Sequence, residues 1–160
     1  NGSITRFEDF DSGGRAQTVT TDVGTPEQKT VNFTFHPESG AVLSKSEPSI
    51  LGPGKKVTVW DYDDDGDDVA NENPTHLLHR LVESGYTRDA DGALTPFSRV
   101  TVYTYNANGQ MLSADGPKPG SDDTIHYAYD PVGNLKSVTS PGIGTTVYSD
   151  YDGAGRYGTP

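Results

Sequence analysis

The chain has 160 residues, no cysteine, a formal net charge of −11 and only 31% apolar residues, against 19 Gly and 11 Pro. Without cysteine, disulfides and cysteine-based zinc or redox centres are excluded. So acidic a chain has little with which to neutralise phosphates, which sets aside nucleic acid and anionic membrane surfaces as partners.

That share of Gly and Pro rules out a helical bundle and fits many short strands joined by turns. Nine Tyr and five Phe at regular spacing supply periodic apolar anchors that a disordered chain lacks. No apolar run approaches the ~18 residues of a membrane helix, no signal peptide is visible, and no membrane insertion is expected. The chain begins at Asn1, which reads as a fragment or a processed product.

The predicted elements repeat one theme: an aromatic-bearing strand, an Asp or Asn turn, a Gly, then a returning strand. The first is Phe10-Asp11-Ser12-Gly13-Gly14-Arg15, followed by Thr18-Val19-Thr20. The second, Phe33-Thr34-Phe35-His36-Pro37-Glu38-Ser39-Gly40, carries one extra turn residue. The third is Trp60-Asp61-Tyr62-Asp63-Asp64-Asp65-Gly66 and the fourth, degenerate, is Tyr86-Thr87-Arg88-Asp89-Ala90-Asp91-Gly92. Tyr103-Thr104-Tyr105-Asn106-Ala107-Asn108-Gly109 makes the fifth, and Tyr127-Ala128-Tyr129-Asp130-Pro131-Val132-Gly133 the sixth. Tyr151-Asp152-Gly153-Ala154-Gly155-Arg156 is the seventh.

The sixth copy is the most complete. Tyr127 and Tyr129 share one strand face. Asp130 opens a type I turn with its carboxylate bonding back to turn amides, Pro131 presets φ, and Gly133 supplies the φ > 0 that closes the turn with a bulge. Gly14, Gly40, Gly66, Gly92, Gly109 and Gly155 take the same part in the other copies.

With the residue before the turn as origin, the copies fall at 10, 35, 62, 88, 105, 129 and 151, at intervals of 22 to 27 with one of 17. Each interval holds a hairpin plus a connector, and the connectors are marked at 25–27, 48–54, 115–120 and 140–142 by Gly, Pro and Ser. The run from Thr75 to Val82 is the best candidate for a short helix and is read instead as a half-buried strand. One hairpin cannot stand alone. The expected fold is therefore all-β, consecutive antiparallel hairpins forming a curved sheet stabilised by neighbours.

The Tyr-x-Tyr-Asp-x-x-Gly-x-Leu pattern resembles the YD repeats of bacterial RHS (rearrangement hotspot) proteins, a family related to teneurins and to the B and C subunits of Tc toxins. The resemblance covers essentially the whole chain. It implies strands of a long curling sheet that forms a hollow shell around a C-terminal toxin or effector, in a secreted or surface-delivered bacterial protein. Seven repeats are too few to close a large shell, so the partners it implies are further repeats of the same chain or identical chains. It also raises a self-cleaving aspartyl protease built around Asp-Pro-x-Gly-Leu. Here Asp130-Pro131-Val132-Gly133 is followed by Asn134 in place of Leu and sits within the repeat, so it reads as a turn.

Three groups of residues are candidates for chemistry. The aromatics Phe10, Phe33, Phe35, Trp60, Tyr62, Tyr86, Tyr103, Tyr105, Tyr127, Tyr129 and Tyr151 beside acids could stack on a glycan. The favoured reading is that they pack neighbouring hairpins together. Asp61, Asp63 and Asp65 alternate before Gly66, with Asp67 following and Glu72 at the twelfth position, as in the opening of a Ca²⁺ loop. Asp68 and the strand-like flank Lys55 to Trp60 depart from that pattern, and an acidic hairpin turn is the competing reading. His36, His76, His79 and His126 are scattered and read as surface or turn residues. Asn1-Gly2-Ser3 and Asn32-Phe33-Thr34 match the N-glycosylation pattern, which means little in a bacterial source. No nucleophile elbow or phosphate loop is present.

The sequence therefore points to a non-enzymatic structural repeat segment. A fibre subunit assembling through open sheet edges, under Ca²⁺ control, is the alternative, and a glycan-binding module the third reading.

Overall fold

The computed structural model describes residues 3–52, 54–63, 76–149 and 151. These residues contain no helix and build eleven antiparallel strands in one open sheet. They are β1 (Arg6–Phe10), β2 (Ala16–Thr21), β3 (Lys29–Phe35), β4 (Val42–Pro48), β5 (Lys55–Asp61), β6 (Arg80–Arg88), β7 (Leu94–Tyr105), β8 (Met111–Asp115), β9 (Ile125–Tyr129), β10 (Leu135–Ser140) and β11 (Gly144–Val147). Each strand pairs with the next in sequence. The expected all-β succession of hairpins is thus the observed one. The chain divides into two compact units at Val100, inside β7.

Alternation along each strand sorts side chains onto two faces. In the first unit Val19 lies opposite Val31, while the other face carries Thr18 opposite Asn32 and Thr20 opposite Thr30. Hydroxyl pairs join these polar rows, with Thr20 to Thr30 at 3.1 Å and Thr34 to Ser44 at 2.7 Å. On the Val19 face an ion pair joins β3 to β4, from Lys29 to Glu47 at 2.5 Å, and a second runs along β4 from Lys45 to Glu47 at 3.2 Å. The second unit repeats the division. Tyr103 faces Ala114, Tyr105 faces Met111, Tyr127 faces Val138 and Tyr129 faces Leu135. Behind them Thr104 bonds Ser113 and Thr139 bonds Thr145. No hydrophobic side chain among the described residues is fully buried. Among the described residues each unit forms a single layer of strands.

The run proposed as a strand over 75–82 enters β6 only at Arg80, and His76 carries a positive φ of 71° in the approach to it. Trp60 sits in β5 opposite Leu81, whereas Tyr62 follows the strand's end. Asp64, Asp65, Gly66, Asp67, Asp68, Glu72 and Gly155 lie outside the described residues.

The turns explain the one short interval in the sequence. In a sheet of consecutive strands, turns fall alternately on two rims. Within the first unit the turns after β1 and β3 share one rim, and those after β2, β4 and β6 share the other. The Asp89-to-Gly92 turn follows β6, so it occupies a connector's place. The 17-residue step from Arg88 to Tyr105 spans a single strand, β7. The fourth copy therefore has the turn chemistry of the repeat but stands out of phase with it.

Gly14 offers a direct check on the turn. Its φ is +76°, and nothing beyond its own chain neighbours lies within 4 Å of where a Cβ would stand. Gly14→Ala should therefore lose about 1 kcal/mol, the local backbone cost of a left-handed L-residue, with no clash against the rest of the chain. Gly14→Asn should lose less, because Asn tolerates that region. Urea midpoints of the two variants measure both.

Candidate functional site

The recurring turn is built by local chemistry. At Asp130–Asn134 the Asp130 amide donates to the Asn134 carbonyl at 2.9 Å, and the Gly133 amide donates to the Asp130 carbonyl at 3.0 Å. The Asp130 carboxylate accepts the amides of Val132 and Asn134 at 3.0 and 2.8 Å. Gly133 has φ of 95°, and the ladder shifts register between Leu135 and Ser137. This is a type I turn closed by a Gly bulge.

The same bonds recur with Asn106 over Asn108 and Gln110, with Asp89 over Asp91 and Ala93, and with Asp11 over Gly13 and Arg15. Gly109, Gly92 and Gly14 hold φ of 76°, 82° and 76°. In the second copy the imidazole of His36 accepts the Ser39 amide at 3.1 Å and Gly40 takes φ of 75°. The extra residue is accommodated without losing the φ > 0 closure.

A residue that sequence reasoning did not single out stands directly after the Gly. Arg15 donates its Nε to the Asp11 carboxylate at 2.7 Å, Asn134 its Nδ2 to Asp130 at 2.9 Å, and Asn106 its Nδ2 to Gln110 at 2.8 Å. Two of these side chains also reach the next turn on their rim. Arg15 donates to the Pro37 carbonyl at 3.3 Å and lies 5.4 Å from the Phe35 ring centre. Gln110 donates Nε2 to the Gly133 carbonyl at 2.8 Å. A long donor at this position thus spans two hairpins.

The aromatics make a second set of joints. The Tyr129 hydroxyl donates to the Met111 carbonyl at 2.9 Å, and the Tyr151 hydroxyl donates to the Leu135 carbonyl. Met111 and Leu135 are equivalent, each one residue past the post-Gly position of its turn. In each case a phenol reaches back one hairpin to the main chain beside the bulge. Phe33 and Phe35 stack at 6.2 Å within β3, whereas Phe10 on β1 is 60% exposed. The Tyr86 ring lies against Gly54, 3.4 Å from where that glycine's Cβ would be. Burial raises the Tyr62 phenol, and burial together with neighbouring Tyr103 raises that of Tyr105.

Of the acidic set, Asp61 closes β5 opposite Arg80, and Asp61 and Asp63 are 4% and 5% exposed. The Asp63 amide donates to the Asp61 carboxylate at 3.1 Å, and the His79 amide to the Asp61 carbonyl at 2.8 Å. His126 is exposed, on the face away from Tyr127 and Tyr129.

The turn acids respond to pH. The Arg15 amide, partial desolvation opposing it, and the Arg15 side chain together hold the Asp11 carboxyl below its ordinary value of 3.8. Around Asp130, desolvation acts upward but is outweighed by the bonds from the Asn134 side chain and amide and from Val132 and Gly133, so its carboxyl is also lowered from 3.8. A carboxyl lowered on folding stabilises above its unfolded pKa, and that contribution is lost as pH falls through the folded value. Thermal stability should therefore decline as pH drops below 3.8. Asp130→Asn should keep the turn at pH 7, since Asn106 fills the same post, and should flatten this acid limb. Melting curves at pH 7 and at successive values below 4 measure the difference. Compared with family models and with curated proteins, the chain matches none.

Proposed function

We propose that this chain is a non-enzymatic wall segment of an RHS-type protein, secreted or carried at the cell surface, whose sheet encloses or presents an effector. The observation that carries the reading is where the repeated residues direct their bonds. The Asp or Asn carries the turn amides, the Gly supplies φ > 0, the residue after it reaches the next turn, and the Tyr hydroxyl reaches the previous hairpin. Side chains so placed join neighbours and leave little to hold a substrate. A sheet of this kind extends by adding hairpins, each stabilised by the one before it.

A second reading has its own support. Among the described residues β1 and β11 are the outermost strands of the sheet, and every residue of β11 is exposed. Such edges pair readily with another strand. Further repeats of the chain would cover them in a shell, and identical chains would cover them in a fibre. If the acidic stretch from Asp61 binds Ca²⁺, it regulates that association. Sedimentation velocity, with and without millimolar Ca²⁺, separates these cases. Large species dissolved by EDTA support the fibre, and a single species of one chain's mass rules it out.

Tyr129→Phe tests the wall reading against the glycan-binding one. Removing one hydroxyl that joins two hairpins should cost about 1 kcal/mol of stability, read as a lower melting temperature, and leave glycan-array signals as they were. Unchanged melting with loss of a glycan signal would reverse the assignment.

A further inference from the structure

We infer that the first unit carries a binding site for the free C-terminal carboxylate of a peptide ending in an apolar residue. The site is a groove of about 440 Å³ at the rim where β4 turns into β5, within the size range of small-ligand pockets. Lys29, Lys56 and Arg99 line it with one carboxylate, Glu47, so that an acidic chain gathers three cations against one anion at this place.

The charges are not equally engaged. Glu47 is committed to Lys29 and Lys45, at 2.5 and 3.2 Å, and the Lys29 hydrogen bond is the main cause that keeps its carboxyl below its ordinary value. Lys56 shares a longer contact of 3.5 Å with Glu83. Arg99 has no carboxylate partner among the described residues and lies over the Phe97 ring, 5.0 Å from its centre. A guanidinium held over a ring keeps its N–H donors, and its planar fork matches a carboxylate with two parallel bonds.

Apolar groups stand beside the fork. Ile50 is 95% exposed and Leu51 is 37% exposed in the loop that follows β4, both lining the same groove as Phe97. Two rings lie close against glycine backbone. A Cβ on Gly85 would stand 3.3 Å from the Phe97 ring, which would have to give by a few tenths of an ångström, whereas Cβ atoms on Gly52 and Gly54 would stand 3.6 and 3.4 Å from the Tyr86 ring, in ordinary contact. A carboxylate at Arg99 and Lys56 would place the side chain of a terminal residue against Ile50, Leu51 and Phe97. A free chain end offers both groups on one residue.

The test is calorimetric titration of the full chain with acetyl-Gly-Phe-Leu bearing a free carboxylate, with its carboxamide, and with phenylacetate. The free acid should bind at least tenfold more tightly than the carboxamide and than phenylacetate. Arg99→Gln, which removes the guanidinium and leaves a shorter polar side chain, should abolish that preference, and Lys56→Gln should weaken it. Arg6→Gln, on β1, should leave it unchanged, and all three variants should keep the wild-type melting temperature within a few degrees. Equal binding of acid and carboxamide, no binding at millimolar peptide, or an unaffected Arg99→Gln would each overturn the inference. Phenylacetate binding as tightly as the peptide would overturn the assignment to a chain end.

Discussion

A sheet that buries no hydrophobic side chain completely must find its cohesion between neighbouring strands rather than across a core. Burial of a large apolar side chain ordinarily contributes ~1.5–3 kcal/mol, and here that source is only partly drawn on. What remains is main-chain pairing, cross-strand contacts worth ~0.2–1 kcal/mol each, and the few side chains that span more than one hairpin. Every strand then depends on the next one. The repeated turn matters because it sets the register on which those contacts rely.

The two units meet this constraint with different side chains. In the second, tyrosine hydroxyls reach the carbonyls of Met111 and Leu135, and Gln110 reaches Gly133. In the first, Phe10 and Phe35 precede the first two turns, and Arg15 donates to the turn ahead and covers the Phe35 ring. Arg15 and Gln110 both follow the turn Gly directly, but Arg15 reaches the second residue of the next turn and Gln110 reaches its Gly. The out-of-phase turn at Asp89 has Ala93 after its Gly, so the turn forms but offers no long donor to a neighbour.

Much of the fold was legible because its signals are local. An Asx side chain bonding forward to two amides and a Gly at φ > 0 act within five residues, so the pattern around Asp130 or Asn106 specifies its turn by itself. The rim on which a turn falls is not local. It depends on how many strands separate it from the last, and only the 17-residue interval before Tyr105 records that β7 stands alone there. The acceptors of the tyrosine hydroxyls left no trace, since a main-chain carbonyl has no side-chain signature and lies 16 to 18 residues away. The cationic groove was hidden for a similar reason, since Lys29, Lys56 and Arg99 belong to three different strands and meet only when the rim is built.

Joints at the turn and the bulge should hold adjacent hairpins as one cooperative body. Native-state hydrogen exchange across β7 to β10 at increasing low denaturant tests it most directly, because it reads the opening free energy of each strand separately. The slowest amides of β7–β8 and of β9–β10 should exchange through a single opening, with one free energy and one denaturant dependence. Two separate isotherms, with the β9–β10 hairpin opening while β7–β8 stays protected, would contradict it.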